Sequence, residues 1–162
     1  IEIGGERLRF TCRGSGHAAV LFLASNETAA LPFWDDAQEG AAAFTRVCAL
    51  DMSGVDTRAS WLTSARVDQI VTDLDGVLAG EQVPAPYVFV AAVELEPMTA
   101  RFAERSGGLV NGTLLIDPAP QPMIGWVIGD EETRRHVTLE STEQILFAIR
   151  SLVWPPAQMR TP

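Results

Sequence analysis

Tyr87-Val88-Phe89-Val90-Ala91, entered through Pro84 and Pro86 and left through Ala92-Val93-Glu94-Leu95-Glu96-Pro97, is the stretch on which the fold turns. Five consecutive apolar residues, aromatic and β-branched at the start, read as a strand buried on both faces. Pro97 suits the first turn of a helix, with Glu96 near its cap, where a carboxylate meets the helix dipole. That helix runs to Arg105 and stops at Ser106-Gly107-Gly108. A doubly buried strand followed at once by a helix is how a parallel sheet is built.

The same alternation extends in both directions. Val20 to Ala24 and Val47 to Leu50 are further buried strands, the second closed by Asp51. Thr113 to Ile116 is a fourth, closed by Asp117-Pro118, and Trp126 to Ile128 a fifth. Between them, Trp34 to Phe44 is Ala-rich with an acidic start, which suits a helix. Residues 64 to 79 place Val67, Ile70, Val71, Leu74, Val77 and Leu78 on one helical stripe, with Gly80 expected to stop it. Ser141 to Val153 forms the last helix, opened by a Ser141/Gln144 capping box. At the start, Ile1 to Arg13 alternates around Gly4-Gly5 and reads as a β-hairpin. The expected fold is α/β: a mostly parallel sheet with helices on both faces and an N-terminal β-hairpin, one domain over residues 1–162.

Composition narrows the function. The chain has 162 residues and a net charge of −9, from 21 acidic and 12 basic residues. An acidic balance of this size argues against a nucleic-acid or anionic-membrane partner. No run reaches the roughly 20 apolar residues that span a bilayer. All twelve basic residues are arginine. Without lysine there is no Schiff-base chemistry, no pyridoxal phosphate attachment and no Walker-type phosphate loop. With only His17 and His136, a multi-histidine metal site is excluded, and no cofactor is expected. Cys12 and Cys48 have no zinc spacing and sit in strand-like runs, so two free, buried thiols are expected; a bond between them would require those strands to be neighbours. Arginine-only basicity and abundant alanine suggest a GC-rich bacterial genome, with a cytoplasmic protein as the default. The stretch itself carries no leader, and one removed before Ile1 is left open.

As an ordered set, the elements resemble the α/β-hydrolase fold over nearly the whole chain. The likeness is carried by Gly4-Gly5-Glu6-Arg7-Leu8-Arg9-Phe10, Arg13-Gly14-Ser15-Gly16, Val47-Cys48-Ala49-Leu50-Asp51, Pro86-Tyr87-Val88-Phe89-Val90, Ala100-Arg101-Phe102-Ala103, Leu114-Leu115-Ile116-Asp117-Pro118 and His136-Val137-Thr138-Leu139-Glu140. The resemblance implies a nucleophile, usually Ser, in a G-x-S-x-G turn after the Tyr87 strand. Here that turn reads Ala91 to Pro97, with Val93 or Glu94 at the nucleophile position and no glycine. A β-branched residue does not tolerate positive φ, so an ordinary loop is expected there. The oxyanion position reads Ala24-Ser25-Asn26-Glu27, and Glu27 brings the wrong charge for stabilising an oxyanion. The short segment after Asp117 leaves no room for the family's lid or for the further strand that bears its catalytic acid. His136 falls one residue from the expected histidine, where Arg135 stands.

These departures predict a chain without the Ser-His-Asp mechanism. The leading expectation is a non-catalytic binding or assembly protein, a pseudoenzyme, with a small apolar ligand and a homodimer formed over exposed apolar edge. The alternative is a non-hydrolytic isomerase, cyclase or lyase with Glu94 as general acid–base, helped by Asp51 or His136. A weaker alternative keeps hydrolysis, with a carboxylate activating water. The candidate catalytic residues are therefore Glu94, His136 and Asp51; the candidate ligand-binding residues are Ser25, Asn26, Glu96, Asp117 and Trp126. Against each stands a structural reading: Asp51 and Asp117 as turn residues, Glu94 and Glu96 as solvated loop carboxylates, and Trp34, Trp61, Trp126 and Trp154 as packing aromatics.

Overall fold

The computed structural model describes residues 1–31, 33–55, 62–119, 123–129 and 134–154. In chain order the strands and helices are β1 (Glu2–Ile3), β2 (Glu6–Arg7), β3 (Arg9–Arg13), β4 (Ala19–Ala24), α1 (Asn26–Ala29), α2 (Trp34–Ala42), β5 (Arg46–Asp51), α3 (Ser64–Gly80), β6 (Tyr87–Ala92), a 3-10 turn (Val93–Leu95), α4 (Glu96–Arg105), β7 (Val110–Asp117), β8 (Met123–Gly129), β9 (Arg134–Leu139) and α5 (Thr142–Val153). β1 and β2 form a ribbon of their own, turned at Gly4 and Gly5 with φ of 59° and 82°. Two successive positive φ values are what a two-residue hairpin of this twist requires, and glycine supplies them without strain.

The remaining strands form one sheet in the order β3-β5-β4-β6-β7-β8-β9. β5, β4, β6 and β7 run parallel, and β3 and β8 are antiparallel to their neighbours. β4 and β6 are buried at every position. Their alternate side chains feed two cores. Leu21, Leu23, Phe89 and Ala91 pack with Val67, Ile70, Leu74 and Phe102 under α3 and α4. Val20, Phe22, Val88 and Val90 pack with Trp34, Ala41, Ile145 and Ile149 under α2 and α5. The continuous apolar runs are thus explained: both faces of the central strands are covered.

Helix ends follow their caps. The Thr63 hydroxyl accepts from the Arg66 amide at the start of α3, and Ser141 accepts from the Gln144 amide at the start of α5. Gly80 ends α3, one residue later than the helix expected over 64–79. Gln82 takes the left-handed position with φ of 53°. The Val83 and Gln82 amides close back on the Leu78 and Ala79 carbonyls at 2.9 and 3.2 Å, a Schellman end.

Two expectations are corrected. Cys12 and Cys48 are not free thiols: they stand directly opposite each other on β3 and β5 and are disulfide-bonded. The second concerns the segment around His136, for which no strand was expected. His136 sits in the middle of β9, an edge strand paired antiparallel to β8. Asp130, Glu131, Glu132 and Trp61 lie outside the described residues. Among the described residues, no helix is long and apolar enough to cross a membrane.

Candidate functional site

Parallel β5, β4, β6 and β7 present their carboxyl ends side by side, and in open α/β sheets this is where ligands bind. Ala24 pairs with Asp51, Leu23 with Ala91, and Ala92 with Ile116. Asp51, Ser25, Glu94 and Asp117 therefore follow the ends of four adjacent strands. The structure brings these residues to one end of the sheet, but among the described residues no hydrogen bond or ion pair links them.

Each has a local role. Ser25 is buried and caps α1: its amide donates to Thr28 Oγ1 at 2.9 Å, and its own Oγ accepts from the Thr28 amide. Asn26 Oδ1 accepts from the Gly54 amide at 2.7 Å, which ties α1 to the loop after β5. Asp51 Oδ1 accepts from the amide and the hydroxyl of Ser53, and Asp117 Oδ1 accepts from the Ala119 amide at 3.0 Å. Both are Asx turns, in which a short carboxylate replaces a backbone acceptor. Asp51 lies two strands from β6, about 10 Å at the usual spacing.

At the turn after β6, Ala92 is extended (φ −61°, ψ 144°) and Leu95 is near-helical (φ −90°, ψ 5°). The only described non-glycine residue with positive φ is Gln82. Val93 and Glu94 are half-buried in an unstrained 3-10 turn, and Glu94 has no hydrogen bond or ion pair to another described residue. Glu96 opens α4, where its carbonyl accepts from Thr99 Oγ1 at 3.1 Å.

His136 is exposed on β9, three strands from β6, about 14 Å away. Its ring lies 5.1 Å from that of the half-buried Trp126, edge to face. The aromatic residues do not converge. Trp34 is core, packed on Phe22 at 5.3 Å, whereas Trp154 makes tilted ring contacts with Phe44 and His17 at the opposite end of the sheet.

Two grooves flank the sheet: the first lies toward the amino ends of the parallel strands, where Val110 pairs with Tyr87, and the second lies at their carboxyl ends, beside Ala24 and Asp51. The first, of about 660 Å³, lies between α4 and the β7–β8 face, with Glu96 at its rim and Ala100, Ala103, Val110, Gly112 and Ile128 along it. Its breadth comes from small residues. Gly112 lines it by its backbone only, since a Cβ there would point to the α5 face and meet Leu152 Cδ2 and the Ile128 carbonyl, each at 2.6 Å. The second, of about 340 Å³, lies between α2 and the β3–β5 strip and is lined by Asp51, Arg9, Thr11, Arg13 and Gln38. Gln38 is only 5% exposed and forms no hydrogen bond with another described residue. Sequence reasoning missed these polar residues, although the signals were present. Arg9, Thr11 and Arg13 alternate onto one side of a strand, and Gln38 interrupts the Trp34–Ala41 inward stripe of α2. Among the described residues, no three His, Cys, Asp or Glu side chains gather as metal ligands would.

No family model and no curated protein matches this chain. Solved structures do. AqDC, described for recognition and ring-cleavage of the Pseudomonas quinolone signal, superposes with a TM-score of 0.51 at 18% identity, over 75% of this chain and 48% of that one. CarC, a serine hydrolase involved in carbazole degradation, gives 0.51 at 20% identity, over 72% and 45%. VrEH2 gives 0.50 at 18%, over 71% and 36%. The chain thus spans less than half the length of these neighbours. The likeness establishes the fold: a mainly parallel α/β sheet of the α/β-hydrolase type.

Proposed function

We infer that this chain acts as a non-catalytic binding protein on an α/β-hydrolase scaffold. The observation that carries this reading is the separation of the candidate acid–base set: Asp51 is two strands from β6 and His136 three, so neither assists Glu94. Binding is supported by the 660 Å³ groove along α4, within the size range of small-molecule pockets. Its alanine, valine and isoleucine walls suit a small apolar body, and the Glu96 carboxylate at its rim suits a hydroxyl or amine on that ligand. The Cys12–Cys48 bond weighs toward an oxidising compartment rather than the cytoplasm.

Isothermal titration calorimetry with alkylphenols and aromatic amines tests the reading, with the wild type beside Ala103→Phe, which fills the groove from a half-buried position on α4. The expected result is one-to-one binding that weakens by about tenfold or more in the variant, the loss of roughly 1.4 kcal/mol. Silence across the panel, or binding indifferent to Ala103→Phe, contradicts it.

A second reading rests on Glu94 itself, a half-buried carboxylate without a partner among the described residues, at the strand end where the fold presents its reactive group. It makes Glu94 the acid–base of a non-hydrolytic step. It requires turnover that is lost in Glu94→Ala and kept in Ser25→Ala, because Ser25 serves only as a cap.

A further inference from the structure

Phe147 is 73% exposed, the most exposed large apolar side chain among the described residues. It lies on the second turn of α5, beside Val137, Leu139 and Arg135 of β9, and with Glu143 these residues line a hollow of about 540 Å³. β9 is the last strand of the sheet, and no described strand pairs with its outer edge. Unpaired backbone groups next to an exposed aromatic make a surface prone to association. Arg135 and Glu143 are both exposed, and neither has an ion-pair partner among the described residues.

We propose that this face binds a second copy of the chain, β9 against β9, about a twofold axis near Val137. The proposal goes beyond the ligand-binding reading and does not depend on it. An antiparallel self-pairing centred on Val137 sets Arg135 opposite Leu139 of the partner subunit, beside the start of its α5. Arg135 and Glu143 then exchange ion pairs across the axis, once in each direction, as an isologous contact must. The two Arg135 residues stand about four strand residues apart, roughly 13 Å, so like charges do not meet. Alternate residues 135, 137 and 139 point to the same side of the sheet as α5, and the two Phe147 rings close over the Val137 pair. The other edge offers no such surface. β3 presents the exposed Arg9, Thr11 and Arg13, and charged edges resist self-pairing.

The test is light scattering coupled to size exclusion, from micromolar to sub-millimolar protein, on the wild type, Phe147→Glu, Arg135→Glu, Glu143→Arg and the combined charge swap. The wild type is expected to approach twice the monomer mass as concentration rises. Phe147→Glu and each single charge reversal should shift it to monomer with the circular dichroism spectrum unchanged, because all three positions are exposed. Combining Arg135→Glu with Glu143→Arg should restore the dimer. A wild type that stays monomeric throughout, a dimer indifferent to Phe147→Glu, or a combined swap that stays monomeric overturns the proposal.

Discussion

Tyr87 is the only tyrosine in the chain, so its ionisation can be followed without interference. Its hydroxyl donates to the Val83 carbonyl at 3.2 Å, and its ring packs edge-on against Phe102. Burial pushes the phenol above its ordinary value, and the negative Asp75 adds to the effect. The folded state therefore holds this proton more tightly than the unfolded chain. The stability contributed is fully present below the unfolded value of about 10 and is lost as pH rises through the folded one. Ultraviolet titration should place the phenol midpoint above that of a free tyrosine, or coincident with alkaline unfolding; reversible ionisation near 10 with the fold intact would contradict the burial. At this scale the sequence was legible for packing and ambiguous for chemistry. Ser25, Asp51 and Asp117 are short polar residues at strand ends, which serve equally as ligands or as caps and turns. Only hydrogen-bond partners tell these roles apart, and those partners depend on how the following loop closes.

Helices and strands read correctly from periodicity wherever a single face or an unbroken apolar run defined them, as in α3, α5, β4 and β6. What periodicity could not supply was pairing. The position of β3 beside β5, with Cys12 opposite Cys48, is a non-local fact, and the disulfide follows from it. Likewise, His136 to Glu140 carried the resemblance to the family's closing segment, and only the register with β8 identifies Arg134–Leu139 as a strand. α3 ends at Gly80, within one residue of the expected stop, but the left-handed position that closes it is taken by Gln82 and not by the glycine. The disulfide ties edge strand β3 across 36 residues of sequence. A Cys12→Ser, Cys48→Ser double variant should lose about 2–4 kcal/mol in urea unfolding. An unchanged midpoint, with the wild type confirmed oxidised, would mean that β3 is held without the bond. A surface ion pair also bridges two helices: Arg101 of α4 bonds Asp68 of α3 at 2.6 Å, and Glu104 of its own helix at 3.0 Å. The Arg101 guanidinium holds the Asp68 carboxyl below its usual range, despite an opposing desolvation cost.

Across the molecule, one end of the sheet collects Asp51, Ser25, Glu94 and Asp117, and the fold's reactive position lies among them. Their closeness in topology, strand beside strand, is what the sequence could foresee. Their distances, and the removal of His136 to an edge strand, depend on the order β5-β4-β6-β7-β8-β9, which no local pattern encodes. Fold alone does not specify chemistry. On the reading proposed above, the groove along α4 binds a ligand and the residues at this end of the sheet convert nothing. The most direct test is a turnover assay on a mixed panel of esters, lactones and epoxides, with the wild type beside Glu94→Ala and His136→Ala. No turnover above buffer is expected from any of the three proteins; turnover by the wild type that disappears in Glu94→Ala would overturn the binding reading and make the carboxylate at the end of β6 a working acid–base.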